Sequence, residues 1–127
     1  MKWSFDNELP IYTQLVYQIK FAIVAGELAP GARMATVRDL ALKAGVNPNT
    51  MQRALQQLER EGLVYSQRSS GRFVTEDTAV IQAARRALAK EHVERFRASM
   101  KSLGYTGEEM KMLLEGSGEE DDNGKLS

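Results

Sequence analysis

Two helical segments separated by a short break at Gly45-Val46 constrain the fold of this chain more than any other feature. Thr36 is a good helix N-cap, and the pattern after it predicts a short helix from Val37 to about Ala44. Gly45 interrupts that pattern. Asn47-Pro48 then begins a longer helix to about Glu61, because Asn caps helices and Pro suits the first helical position. Two helices joined by a turn that tolerates positive φ are typical of a helix-turn-helix.

The second of these helices has an apolar face and a polar face. Met51 and Leu55 belong to the apolar face and predict burial against a core. The polar face contains no acid before Glu59, and it offers short or forked hydrogen-bonding groups: Asn49, Thr50, Gln52, Arg53 and Gln56. Such groups read base edges and contact phosphates in a major groove, so the helix is a candidate DNA-reading element.

A polar hairpin follows the two helices. Leu63 to Ser66 and Phe73 to Thr75 are predicted strands, and the tip from Gln67 to Arg72 contains two arginines, two serines and a glycine. A hairpin of this kind can lie over a minor groove, where arginine is attracted by the negative potential. Taken alone, the two helices also fit a core helical hairpin, and the polar tip also fits a solvated turn. In this order and spacing they predict a winged helix-turn-helix over residues 36–74.

The remaining elements are helical. Pro10-Ile11 begins an amphipathic helix that ends near Ala25-Gly26, and a longer apolar pattern predicts a helix from Thr78 to about Leu103. Thr106 caps a short final helix that Gly116 ends. The expected fold class is α+β and mostly α. It comprises a DNA-binding domain at residues 1–75, a helical dimerisation segment at 76–116 and a disordered acidic tail at 117–127.

The charges are distributed unevenly along a chain whose formal net charge is zero. Residues 1–75 contain nine Lys or Arg against six Asp or Glu, whereas residues 76–127 contain eight against eleven. The N-terminal excess lies within residues 36–74, which hold six basic and three acidic residues. A neutral chain therefore includes a locally basic segment, which is what phosphate contacts require.

Several other classes of protein are disfavoured. There are no cysteines, which excludes disulfides and thiolate metal sites. His92 has no second histidine, so a surface position is expected rather than a metal site, and no cofactor is predicted. No nucleophile–base pair indicates an enzyme. No signal peptide and no membrane-length apolar run are visible, so a cytoplasmic location and no membrane partner are expected.

The order of motifs closely resembles the N-terminal domain of the GntR family of bacterial transcription factors over about residues 9–75. The resemblance rests on the following runs: Pro10-Ile11-Tyr12-x-Gln14-Leu15, Arg38-x-Leu40-Ala41, Val46-Asn47-Pro48-Asn49-Thr50-x-x-Arg53 and Gly71-x-Phe73-Val74. The short helical remainder is similar to the C-terminal segment of the YtrA-like subfamily. The resemblance implies a winged-helix repressor that binds double-stranded DNA at a near-palindromic operator as a homodimer.

The resemblance also implies contact residues. Those expected to bind DNA are Arg38, Asn47, Asn49, Thr50, Gln52 and Arg53 in the helix-turn-helix and Arg68, Ser69, Gly71 and Arg72 in the wing. Pro48 stands where many relatives have an arginine that reads guanine, so base reading is expected to shift along the helix. Ser69 stands where a glycine is common, and the stretch Met34-Ala35-Thr36-Val37-Arg38 retains the hydroxyl and the arginine of the usual Leu-Pro-Ser-x-Arg.

Partners beyond DNA are implied less directly. The helices at 78–115 have more apolar positions than two helices can bury alone, so they are the expected dimer interface. The resemblance suggests an ABC-transporter operon as target. Whether a small-molecule effector exists stays open, and the roughly fifty C-terminal residues could offer it only a small cleft. Met100, Met110 and Met112 suit such a cleft, or core and dimer packing, which is favoured. A protein-docking winged helix is the alternative function, disfavoured by the acid-free helix face and the wing arginines.

Overall fold

A computed structural model of the protein describes residues 1–124, and it describes side chains up to Glu115. Along these residues lie the helices α1 (Ile11–Val24), α2 (Val37–Ala44), α3 (Pro48–Arg60), α4 (Thr78–Ser102) and α5 (Gly107–Gly124), with the strands β1 (Val64–Gln67) and β2 (Gly71–Val74) between α3 and α4. The chain forms two compact units, Met1–Arg86 and Ala87–Ser127. No helix among the described residues is long and apolar enough to cross a membrane.

The core of the first unit lies between α1, α3 and the two-stranded sheet. Apolar residues three or four positions apart place one stripe of each helix inward. The fully buried large side chains are Leu15, Ile19 and Ile23 of α1, Met51, Leu55 and Leu58 of α3, and Leu63, Val64 and Val74 around the hairpin. Burial of each such side chain contributes about 1.5–3 kcal/mol. This core fixes the orientation of α3, whose outer face remains in solvent.

The N-terminal segment is fastened along α1 by two glutamines. Gln18 accepts from the Ser4 backbone N–H at 3.2 Å and donates to the Ser4 carbonyl at 2.6 Å. Gln14 makes the same pair of contacts with Asp6, both at 2.7 Å. The rings of Trp3 and Phe5 are stacked, with centroids 6.2 Å apart, and pack against the core.

The hairpin differs in detail from the sequence expectation. β1 and β2 pair antiparallel from Val64↔Val74 to Gln67↔Gly71, so the turn is only Arg68 to Ser70. The polar character of residues 67–72 predicted that all of them belong to the turn. Backbone pairing continues through them nonetheless, since ladder hydrogen bonds do not depend on apolar side chains.

The start of α4 belongs to the first unit. Ile81 is buried and joins the same apolar cluster as α1 and α3, with Val80 and Ala84 packed against it. The N-terminal core therefore includes residues beyond Thr75, where the sequence placed the domain boundary.

In the second unit, Thr106 caps α5 as predicted, and together with Glu109 it forms a reciprocal capping box. The Glu109 N–H donates to the Thr106 hydroxyl at 3.2 Å, and the Thr106 N–H donates to the Glu109 carboxylate at 3.0 Å. Leu88 and Met110 are the buried apolar side chains in this unit's described residues. The helix continues past Gly116, its expected end, to Gly124. The disorder expected for 117–127 stays a prediction, and residues 125–127 lie outside the described residues.

Candidate nucleic-acid interface

The turn between α2 and α3 is built by three local signals. The Thr36 hydroxyl accepts from the Asp39 N–H at 3.1 Å, which starts α2 at Val37 as predicted. Gly45 ends it with φ +71°, a conformation that costs glycine little. The Val46 N–H then donates to the Ala41 carbonyl at 3.0 Å, which closes the turn. The helix-turn-helix predicted from the sequence is therefore present with the expected bounds of α2.

The start of α3 is fixed by Asn47. Its side-chain oxygen accepts from the Asn49 N–H at 2.7 Å, and Pro48 occupies the first helical position. The Asn47 oxygen is thus engaged in the cap, although the residue is exposed. Asn47 was predicted to contact DNA, and the structure gives it this structural role as well.

The residues of α3 that face away from the core form one stripe. A helix turns by about 100° per residue, so positions 49, 53, 56 and 60 lie on the side opposite Met51 and Leu55. The corresponding side chains are all exposed: Asn49, Arg53, Gln56 and Arg60. Thr50 and Gln52 are half-buried on the two flanks of this stripe. Arg60 was not singled out from the sequence, although continuing the helical period from Asn49 leads to it.

Two arginines of the helix-turn-helix differ in how they are held. Arg53 places its guanidinium over the ring of Tyr12 on α1, 4.8 Å from the ring centroid, a cation–π contact that restrains the side chain while leaving it exposed. Arg38, in the first turn of α2, is exposed, and its guanidinium makes no hydrogen bond or ion pair with any residue that the structure describes. Both cations are available to a negatively charged partner.

The wing tip contains an unusual backbone conformation. The Ser70 N–H donates to the Gln67 carbonyl at 3.1 Å, and between them Ser69 has φ +70°. Positive φ at the third position of a turn is typical of the type II geometry that glycine prefers. Arg68, Ser69 and Gly71 are exposed, and the rings of Tyr65 and Phe73 stack across the strands with centroids 5.6 Å apart. The tip is thus polar and solvent-facing on a hairpin braced by aromatic rings.

Arg72, the second arginine predicted for the wing, turns back toward α3. Its Nε lies 2.6 Å from Glu59 Oε1, the same oxygen that accepts from the Ser66 hydroxyl at 2.6 Å. Burial raises the pKa of Glu59, but the hydrogen bonds from Ser66 and Arg72 and the charge of Arg72 outweigh it, so that pKa lies below its ordinary value. Glu59 therefore remains ionised and fastens the hairpin to α3.

Comparison with known proteins identifies the family. The model of the bacterial regulatory proteins of the gntR family matches residues 11–74, which is α1 through the wing. This chain belongs to the GntR family. The relatives that match it are transcriptional regulators, and the chain is a DNA-binding transcriptional regulator rather than an enzyme.

Two relatives align with this chain over most of the length of both proteins. It is 40% identical to the uncharacterised regulator YhcF of Bacillus subtilis, over 84% of this chain and 88% of YhcF. It is 32% identical to the transcriptional repressor YtrA of the same organism, over 86% of this chain and 82% of YtrA. The similarity to YtrA extends beyond the winged helix into the helices that follow, as the YtrA-like resemblance implied.

Solved structures show the same fold. A GntR family regulator from Listeria monocytogenes superposes with a TM-score of 0.81 at 37% identity, covering 88% of this chain and 98% of that one. The DNA-binding domain of AraR, solved in complex with its operator ORE1, superposes with a TM-score of 0.51 at 30% identity, covering 59% of this chain and 94% of that domain.

Within this GntR fold, the sequence-predicted contact residues are exposed, engaged in local contacts or placed on the flanks of α3. Arg38, Asn49 and Arg53 are exposed on the helix-turn-helix, and Arg68 and Ser69 are exposed at the wing tip. Asn47 and Arg72 are engaged in local contacts, and Thr50 and Gln52 lie on the flanks of α3. Their contacts with DNA stay a prediction.

Proposed function

We propose that this GntR family member is a repressor that binds a near-palindromic operator as a homodimer. The proposal rests on the exposed stripe of α3, where two amides and two arginines, Asn49, Arg53, Gln56 and Arg60, face solvent without an acid among them. Amide and guanidinium groups at helical spacing match the donor and acceptor pattern of a major groove. YtrA is a repressor and the AraR domain binds an operator, which supports the same role here.

Each part of the interface has a distinct proposed task. Asn49, Arg53 and Gln56 read base edges, whereas Arg38 at the start of α2 contacts a phosphate or a guanine. Arg68 at the wing tip lies over the adjacent minor groove, where the narrow width strengthens the negative potential. Phosphate contacts then set the register of the protein on DNA, and the α3 contacts select the sequence.

The proposed dimer forms through the second unit. Its described residues leave large apolar side chains in solvent: Val93 at 49%, Phe96 at 37%, Leu103 at 72%, Met112 at 67%, Leu113 at 43% and Leu114 at 57%. Such a patch on a small helical unit indicates a protein interface. A two-fold dimer buries the same patch of both subunits and presents two copies of α3 to successive major grooves.

The target and its control follow from the YtrA-like resemblance. We propose an ABC-transporter operon as target, with the protein acting in the cytoplasm, where the chromosome lies. A groove of about 480 Å³ within the second unit is lined by Phe96, Met110 and Leu114 and by the cations Arg97 and Lys111, so it shares Phe96 and Leu114 with the proposed dimer interface. We propose this groove as the binding site of a small-molecule effector, because it combines apolar lining residues with cations that can orient a ligand.

The proposal is tested by footprinting on the promoters of the protein's own gene and of neighbouring transporter genes. We expect protection of a near-palindromic site and competition by that site far above random DNA. Arg38→Ala and Arg53→Ala should abolish specific binding and leave the dimer intact, since a lost bidentate base contact costs about 1–3 kcal/mol and a dimer loses it twice. Arg85→Ala, which removes an exposed cation on α4, is the matched control. Retained operator affinity in both variants would refute the proposed reading surface.

A further inference from the structure

Arg33 is held at the edge of the wing by backbone pairing, although it precedes the helix-turn-helix in sequence. It forms an isolated antiparallel bridge with Phe73. On either side of it, the Met34 N–H donates to the Arg72 carbonyl at 2.8 Å, and the Val74 N–H donates to the Ala32 carbonyl at 2.9 Å. The residue therefore lies beside β2 like a single position of a third strand, with its backbone held by these two hydrogen bonds.

The Arg33 side chain lies against the glycine at the start of β2. A Cβ atom on Gly71 would stand 3.3 Å from Arg33 Nε and 3.6 Å from one of its terminal nitrogens. Gly71 thus provides the space that the guanidinium uses. Both residues line an open groove of about 580 Å³ between the start of α2 and the wing, to which Thr36, Asp39, Ser69 and Arg72 also contribute.

The two arginines of this groove differ in how their charge is compensated. Arg72 is paired with Glu59 at 2.6 Å and its side chain is only 17% exposed. Arg33 is exposed, and no acid among the described residues lies within ion-pair distance of it, Asp39 included. Of the two arginines that line this groove, the one with uncompensated charge is therefore Arg33, which lies outside the hairpin, and not Arg72 within it.

We propose that Arg33 contacts a phosphate of the operator backbone on the wing side of each half-site, and that Arg72 instead anchors the wing to α3. The inference rests on the proposed DNA-binding function and deepens it by adding a contact residue. A guanidinium held by paired backbone and lacking a protein counter-ion suits a phosphate oxygen. Such a contact positions the protein on DNA without selecting its sequence.

The test compares Arg33→Gln, Arg33→Lys and Arg72→Gln in the full-length protein. Affinity for the footprinted operator and for a random duplex is measured by fluorescence anisotropy over a range of KCl concentrations, with thermal unfolding recorded for each variant. Arg33→Gln should weaken binding to both duplexes by a similar factor, about fivefold per half-site at 0.15 M salt. It should also reduce the slope of log K against log salt by about 0.9 per half-site, with an unchanged Tm.

The other variants separate charge from structure. Arg33→Lys should restore most of the affinity and the salt slope, because it keeps the charge. Arg72→Gln should lower the Tm and leave the slope unchanged, since Glu59 already offsets its charge. An unchanged slope in Arg33→Gln, a loss that lysine does not rescue, or a slope change in Arg72→Gln alone would overturn the assignment.

Failure of this inference is distinguishable from failure of the proposed function. If Arg38→Ala loses operator binding while Arg33→Gln does not, the chain is an operator-binding regulator and only the Arg33 contact is wrong. If the unmodified protein binds no promoter DNA better than random DNA, the proposed function itself fails.

Discussion

The two units of the molecule differ in how many of their large apolar side chains they bury. In the first unit nine large apolar side chains are fully buried, among them the leucines Leu15, Leu55 and Leu58, although Leu42 is 79% exposed. In the described part of the second unit only Leu88 and Met110 are buried, whereas the leucines Leu103 and Leu114 are 72% and 57% exposed. Leucine occurs in both sets, so the difference lies in what is available to cover it. Three helices and a hairpin enclose a core in the first unit, while the described part of the second offers two helices. The first unit therefore has a core of its own, and the exposed apolar surface of the second is the one that the proposed dimer would cover.

The largest effect should come from making that surface polar. Phe96→Glu combined with Leu113→Glu places charges in the proposed dimer interface, so we expect a monomer by sedimentation velocity. Affinity for the full operator should fall by about 10²- to 10⁴-fold, because the second half-site no longer benefits from linkage. Affinity for an isolated half-site should hardly change. A dimer that persists in this variant would show that the interface lies in the first unit and not in the exposed apolar surface of the second.

The next effect concerns the core of the first unit. Leu55→Ala should lower the free energy of unfolding by about 2–5 kcal/mol, since it leaves a cavity among α1, α3 and the hairpin. Leu113→Ala is the matched control, as Leu113 is 43% exposed. Its smaller loss should grow with protein concentration, because it weakens association rather than packing. Equal losses in urea titrations at low concentration would show that the units do not differ as described.

How much of this was predictable depends on whether a feature is local. The bounds of α2 follow from Thr36 and Gly45, which cap the helix at either end, and sequence locates both. The partner of Arg72 could not be found in this way, because Glu59 lies 13 residues earlier and the two meet only when the hairpin folds onto α3. Arg33 was overlooked for the same reason, since only pairing with Phe73 brings it to the wing. The exposed stripe of α3 was partly predicted, since the helical period locates Gln56 and the motif locates Asn49 and Arg53.

The ion pairs of the first unit should make its stability depend on acid pH. The pKa of Glu59 is lowered from its ordinary 4.5, because the hydrogen bonds from Ser66 and Arg72 and the charge of Arg72 exceed the raising effect of burial. A lowered pKa gives stability that is present at neutral pH and is lost as pH falls below 4.5 through the folded-state pKa.

We therefore expect Glu59→Gln to be less stable than the unmodified protein at pH 7 and the difference to shrink below about pH 4. The measurement is the free energy of unfolding in urea at each pH. Glu115→Gln is the control, since Glu115 is exposed on α5 and forms no ion pair among the described residues. A difference that stays constant with pH would mean that Glu59 acts through its shape alone.

The smallest effect should come from the strained turn of the wing. Ser69 has φ +70°, a left-handed conformation that costs residues with a Cβ roughly 1–2 kcal/mol. Ser69→Gly removes that cost, although the greater freedom of glycine in the unfolded chain offsets about 0.5–1 kcal/mol of it. The net expectation is a gain in unfolding free energy of up to about 1 kcal/mol.

Ser70→Gly is the neighbouring control, because Ser69 is the positive-φ residue other than glycine in the described part of the chain. It gains nothing from relieved strain and should lose stability through backbone entropy alone. The two variants have the same composition and differ only in which turn position becomes glycine. If their urea midpoints shift in opposite directions, the effect is due to the backbone conformation at Ser69. Shifts in the same direction would show that the turn relaxes at no cost and that the wing is no more strained than the rest of the first unit.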